Sequence, residues 1–431
     1  MRVRHAGLFI LLFAGFLTMS LIRGQDRSDS PSPPPARGSA PLVAPIAMPR
    51  PPSPAFDPNK MEGAPRQFFL GAQRGAEWLA RINGTNGRFL DGWVPSLNVP
   101  LEGDSYFRQA GAALALARAA RLTGEERYTA CAARALLSLL DETVLDTTNQ
   151  TRSTPLPSIV LNRLGSAALL VLAINELPAP PPDLLEKSEQ LCNYIRRQAR
   201  TDGSLACGDM LADGRFGAEE PDAVNQYPGS ALYALARSAR LRPAEWKLAL
   251  VRNAVAYYLP WWRAHKNLAF LPGQTAAYAE AYLLTRDRAF ADAVFEMGDW
   301  LIGLQYDLGN NNQHPEWVGG FKDWLEGRVV ETAPTAQSAA CGEALALACR
   351  VARQAGDDKR FGGYGESLLA CLQFVATLQY TDANTMHFVP SYRDRLAGAF
   401  HASTQDGTLR IDHTQHAVSA MALFVELAVP R

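Results

Sequence analysis

Gly111-Ala112-Ala113-Leu114-Ala115-Leu116-Ala117 has no polar face. Ser230-Ala-Leu-Tyr-Ala-Leu-Ala236, Ala276-Ala-Tyr-Ala-Glu-Ala-Tyr282 and Cys341-Gly-Glu-Ala-Leu-Ala-Leu-Ala348 repeat the texture. A helix that is small and apolar around most of its circumference is buried on several sides. Between these stretches lie segments such as Leu184-Leu-Glu-Lys-Ser-Glu-Gln190, which carry more charge. The alternation predicts two layers, an inner helix wrapped by neighbours and then an outer helix with one wet face.

Working outward, the pattern predicts twelve helices, at 67–81, 104–121, 125–141, 158–176, 183–199, 225–241, 244–258, 271–285, 287–306, 335–355, 362–379 and 413–429. Links after inner helices are short, as at Leu122-Thr-Gly-Glu-Glu-Arg127, Leu241-Arg-Pro-Ala-Glu245 and Thr285-Arg-Asp-Arg288. Links after outer helices are long, at 82–103, 142–157, 200–224, 259–270, 307–334 and 380–412. Alternation puts every long link at one end of the assembly, and links of such length usually have a task. Six hairpins with irregular long loops predict an all-α, (α/α)6 toroid of inner and outer helices over residues 56–431. An open superhelical array would show more regular units and short loops throughout.

The 431-residue chain carries 42 basic and 43 acidic residues, so no basic excess points to nucleic acid, and no reading module for it is present. Arg2, Arg4 and His5 precede an apolar run from Ala6 to Ile22, which predicts a signal peptide or signal anchor over residues 1–24. The exported remainder, periplasmic, secreted or anchored on the outer side of the cytoplasmic membrane, is then about four charges acidic. Any membrane attachment is expected through residues 6–22 only. Residues 25–55, with Pro31, Pro33, Pro34 and Pro35, read as a disordered Pro/Ser-rich tether. Much of the chain's 33 Gly and 29 Pro falls in this tether and in the long loops. Cys131, Cys192, Cys207, Cys341, Cys349 and Cys371 form no CxxC pair and read as buried free thiols.

Apolar inner helix, short turn, then Glu126-Arg-Tyr128 or Arg288-Ala-Phe290: this repeated phrase resembles the α/α-toroid enzymes, namely toroidal glycosidases, uronyl hydrolases, polysaccharide lyases and glucuronyl or sugar epimerases. In layout it is also similar to the terpenoid cyclase and protein prenyltransferase group. The resemblance covers residues 65–430 and lies in architecture and repeat texture, so it transfers no catalytic residue by name.

A toroid gathers the N-termini of its inner helices and its long loops around one concavity. Unpaired backbone N–H groups there favour anionic or hydroxyl-rich ligands. The polar residues that open the inner helices are the site candidates. The first opening offers Trp93, Asp104 as N-cap or ligand, and Arg108 as a clamp for carboxylate or hydroxyl. The third offers Asp222, Asn225, Gln226 and Tyr227, with Asn225 as N-cap and Pro228 in the first turn. The fifth loop is the richest, with His314, Trp317, Asp323, Trp324 and Glu331, and suits sugar stacking and proton transfer. The last opening offers Asp412, His413 and His416, with Asp412 and Gln415 at capping-box spacing. No established metal-ligand spacing occurs, and no cofactor is called for.

The expected protein is an exported carbohydrate-active enzyme acting on an oligo- or polysaccharide. Hydrolysis would use two carboxyls among Asp222, Asp323, Glu331 and Asp412. Lyase or epimerase chemistry on a uronate would use Tyr227 or His413 as base, with Arg108 on the carboxylate and Asn225 or Gln226 on the developing charge. The alternatives are a non-catalytic toroid that binds glycan or protein and a terpenoid-cyclase-like toroid, although no DxDD or DDxxD motif is present.

Overall fold

The structure, a computed structural model, describes residues 56–307, 309 and 313–429. The signal segment 1–24 and the tether 25–55 lie outside the described residues. Helix α1 spans Gly63–Ile82. Five hairpins follow: α2 (Tyr106–Thr123) with α3 (Glu126–Asp141), α4 (Arg163–Glu176) with α5 (Pro182–Arg197), α6 (Ala223–Leu241) with α7 (Glu245–Ala264), α8 (Leu271–Thr285) with α9 (Arg288–Ile302), and α10 (Ser338–Ala355) with α11 (Asp358–Thr377). A short α12 (Pro390–Leu396) precedes α13 (Ile411–Ala428).

The inner ring is α2, α4, α6, α8, α10 and α13, each packed on the next, and α13 closes the circle by packing on α2. The outer helices cover this ring. The first helix, α1, packs chiefly against the last, α13, so the sixth hairpin is assembled from the two ends of the domain. The all-α (α/α)6 toroid is therefore present. Its closure joins residues that are distant in sequence, whereas the other five hairpins are contiguous.

Local chemistry explains the inner ends. Ser105 begins α2 by accepting a hydrogen bond from the Arg108 amide, and Gly124 stops it at φ 74°. Asn162 caps α4 through the Gly165 amide, so that helix starts at Arg163 rather than 158. Gly229 and Gly273 face each other where α6 crosses α8, and a Cβ on Gly229 would sit 2.6 Å from the Gln274 amide nitrogen. The small-residue texture thus permits close helix approach. At the outer layer α7 continues past the expected residue 258 to Ala264, with Pro260 inside it.

Small sheets in the long loops were not expected from the periodicity. Strands β1 (Gly92–Val94) and β2 (Val99–Pro100) join β7 (Leu409–Arg410) in the order β2-β1-β7, stapling the first long loop to the last. A Cβ on Gly92 would meet the Leu409 carbonyl oxygen at 1.9 Å, so only glycine fits this junction. Hairpins β3 (Val144–Asp146) with β4 (Thr151–Ser153) and β5 (Asp323–Leu325) with β6 (Arg328–Val330) stiffen two further loops. All six cysteines are free; five are buried and Cys131 is half-buried. No described helix is long and apolar enough to cross a membrane.

Candidate active site

Solvent exposure along the inner helices locates the concavity. Most of each inner helix is buried, yet Ser230, Glu343 and His416 remain solvent-reached one to two turns below the helix starts. Phe107, Arg108 and Tyr227 are likewise half-buried at the mouth. A hollow therefore opens from the long-loop face and ends at these side chains, because the next turns of the same helices pack shut.

Its floor is a chain of polar groups that spans the ring. Arg118 on α2 donates through Nη1 to Glu343 Oε2 on α10 at 2.6 Å and through Nη2 to the Tyr233 hydroxyl on α6 at 3.3 Å. Neither α6 nor α10 neighbours α2 in the ring, so these bonds cross its centre. His416 Nδ1 on α13 lies 2.7 Å from Glu343 Oε1. Burial alone would raise the Glu343 pKa, but Arg118 and His416 overcome it and hold the carboxyl below its usual value. Glu343 is thus a carboxylate that orients an imidazole, with Arg118 balancing its charge.

A second cluster lies at the rim. Arg108 donates to Asp91 Oδ2 at 2.8 Å and stands 3.7 Å from Asp412 Oδ2. Arg410 Nε donates to Asp412 Oδ1 at 3.0 Å. Burial would raise Asp412, but the Arg410 hydrogen bonds and the nearby His413 bring it below the normal value. Asp412 is therefore no cap: Arg410 takes the N-cap position of α13, and the expected capping box does not form. His413 is buried, and its Nδ1 has no hydrogen-bond partner among the described residues.

Burial dominates His413 and lowers its pKa from 6.5 to about 4. A base whose folded pKa is depressed favours folding fully above pH 6.5 and progressively less down to about 4. That drop corresponds to about 3 kcal/mol. Half-buried His401 is lowered for the same reason and acts in the same direction. Urea unfolding at pH 7 and pH 4.5 is expected to show a stability loss that is clearly smaller in His413→Gln. An unchanged pH dependence in that variant would refute a neutral buried His413.

The other expected residues are dispersed. Asp104 is exposed, 3.6 Å from Arg88, and Ser105 rather than Asp104 caps the helix. Asp222 holds the N-cap position of α6 but makes no capping bond and is exposed. Asn225 is inside that helix instead of capping it, and its buried Oδ1 has no partner among the described residues; Pro228 falls in the second turn. Gln226 is exposed. The Tyr227 ring packs edge-on to Phe107 at 5.7 Å, and burial raises its hydroxyl pKa, which disfavours a tyrosinate base.

The fifth loop uses its aromatics internally. Trp317 stacks on His314 at 3.9 Å, and Trp324 stands edge-on to Trp300 of outer helix α9 at 5.5 Å. Asp323 and Glu331 are exposed, held by Thr332 and Lys322 respectively. Trp93 lies beneath the Arg395 guanidinium at 4.9 Å. Among the described residues no group of three or more His, Cys, Asp or Glu side chains is placed to hold a metal ion.

Sequence reasoning missed Glu343, Arg118 and Asp91. The first two were visible as charges set within long small-and-apolar stretches of α2 and α10. Glu176, Arg237 and Glu280 follow the same rule and pair as well, Arg237 with Glu176 at 2.7 Å and with Glu280 at 3.3 Å.

No protein-family model matches the chain, and no curated protein matches it in sequence. Solved structures match in fold. An α-1,6-mannanase of Salegentibacter sp. aligns at TM-score 0.56 and 11% identity, covering 84% of this chain and 99% of that one. An unsaturated glucuronyl hydrolase specific for heparin aligns at 0.57 and 13%, covering 84% and 97%. Cellobiose 2-epimerase from Bacillus thermoamylovorans aligns at 0.57 and 13%, covering 84% and 98%. The ring of six helical hairpins seen here is thus the (α/α)6 toroid that these saccharide enzymes share.

Proposed function

We propose that the protein is a carbohydrate-active enzyme that moves a proton at a sugar carbon, as an epimerase or a lyase does, in the hollow on the long-loop face. The observation that carries this reading is the His416–Glu343–Arg118 chain at the floor of that hollow. Hydrolysis by paired carboxyls needs one of them protonated. Asp412 and Glu343 are both held in the charged form by cationic neighbours, which fits that role poorly. A carboxylate-oriented imidazole is instead a competent proton acceptor.

His416 would take the proton from the carbon beside a carbonyl or a uronate carboxylate. The electron pair moves onto that group's oxygen, and Glu343 offsets the charge gained by His416. Arg108, half-exposed at the rim, supplies positive charge for the oxyanion. Delivery of a solvent-derived proton to the opposite face, with His416 releasing its own proton to water, gives an epimer, whereas departure of a group from the next carbon gives an unsaturated product.

The test is a panel of reducing sugars, neutral glycans and uronate glycans incubated in deuterated water. Carbon-bound deuterium or ultraviolet absorbance from a new double bond supports the proposal. New reducing ends with neither signal would move the assignment to hydrolysis, and silence on the whole panel would favour a saccharide-binding toroid.

A further inference from the structure

A second hollow, of about 780 Å³, lies at the opposite end of the ring, where the inner helices finish. Arg121 of α2, Arg237 and Arg240 of α6, and Arg350 and Arg353 of α10 line it, with Glu426 of α13 as the carboxylate in its wall. Helix C-termini attract cations because their free carbonyls carry partial negative charge, and that accounts for some of these arginines. It does not account for all of them.

Arg237 and Arg240 are occupied by Glu176 and Glu280. Arg353 donates to the Leu427 carbonyl at 2.8 Å and lies over the Phe361 ring at 4.7 Å, so its charge meets no carboxylate in these contacts. Arg350 reaches Glu426 only at 3.7 Å. Arg121 forms no ion pair among the described residues. Five guanidinium groups thus share Glu176, Glu280 and Glu426, which leaves the wall cationic.

We propose that this hollow binds a small polyvalent oxyanion, with Arg121, Arg350 and Arg353 as its direct ligands. Guanidinium groups fit phosphate and sulfate oxygens through paired N–H donors, and a recess lowers competition from water. The volume accommodates a phosphorylated sugar as well as a bare diphosphate. The site lies on the face opposite the sugar hollow, so it stands or falls independently of the proposed reaction.

The test is calorimetric titration of the whole protein at constant ionic strength with pyrophosphate and, separately, with glucose 6-phosphate. Sodium chloride serves as the control for simple screening. Saturable binding of either phosphate by the parent is expected. The double variant Arg121→Gln with Arg350→Gln, which leaves the Arg118 and Arg237 networks intact, should weaken it about tenfold or more, a scale set by the loss of two charge-assisted contacts. Glu426→Gln should tighten it several-fold, an outcome that misfolding cannot imitate. The tighter of the two probes identifies the source as sugar phosphate or free phosphate. Absence of binding in the parent, or equal binding by the double variant, overturns the site.

Discussion

Glu343→Gln is expected to lower folding stability by about 3–5 kcal/mol, the usual cost of breaking one side of a buried ion pair. The size follows from what stays behind. Arg118 is 5% exposed, and its remaining neutral contact is the Tyr233 hydroxyl. Gln keeps the shape of Glu but not the charge, so the desolvated guanidinium would lose its ion-pair partner and keep only the longer-range attraction of Glu176. Removing both partners, as in Arg118→Leu with Glu343→Leu, should recover most of the loss, because two apolar side chains carry no desolvation penalty. Denaturant unfolding of the four members of this cycle reads the coupling directly. A single Glu343→Gln variant as stable as the parent would show that the pair is not buried as the structure has it. The recovered double variant should still be catalytically impaired, since nothing in it holds His416 in place.

His416→Gln is expected to reduce turnover on the sugar substrate by about 10²–10⁴-fold, the range over which a positioned acid or base contributes. Its folding midpoint should move little, because the imidazole is partly exposed and its removal leaves Glu343 still paired with Arg118. The discriminating readout is carbon-bound deuterium: exchange into the substrate should fall with kcat while KM changes little. A purely structural histidine would instead lower stability and raise KM without changing exchange per bound substrate. Retained exchange in His416→Gln would transfer the base role to another group and sink this assignment.

The architecture was legible because it is written in a local period. Each inner helix buries nearly its whole circumference, so small and apolar residues recur at every position of the turn, as in Ala112 to Ala117. The end bearing the long loops followed from the alternation of link lengths alone. Two of the expected openings also contain residues that the structure places together, Arg108 and Asp412. The rich fifth loop misled for a physical reason. Tryptophans and acids in a long loop serve equally well to fold that loop, and here Trp317 and Trp324 pack within it and on α9.

By itself, the sequence determined the two helix layers, the count of inner helices and the end at which polar loops collect, since each depends on neighbours within a few turns of chain. Tertiary structure decided which charges meet. Arg118 and Glu343 lie 225 residues apart and come into contact only because the ring closes and brings α10 within reach of α2 past the intervening α13. No local period encodes that distance. What the sequence did carry was a few charges set within small and apolar stretches of inner helices, and burial makes such a charge costly until a partner arrives from another helix of the ring.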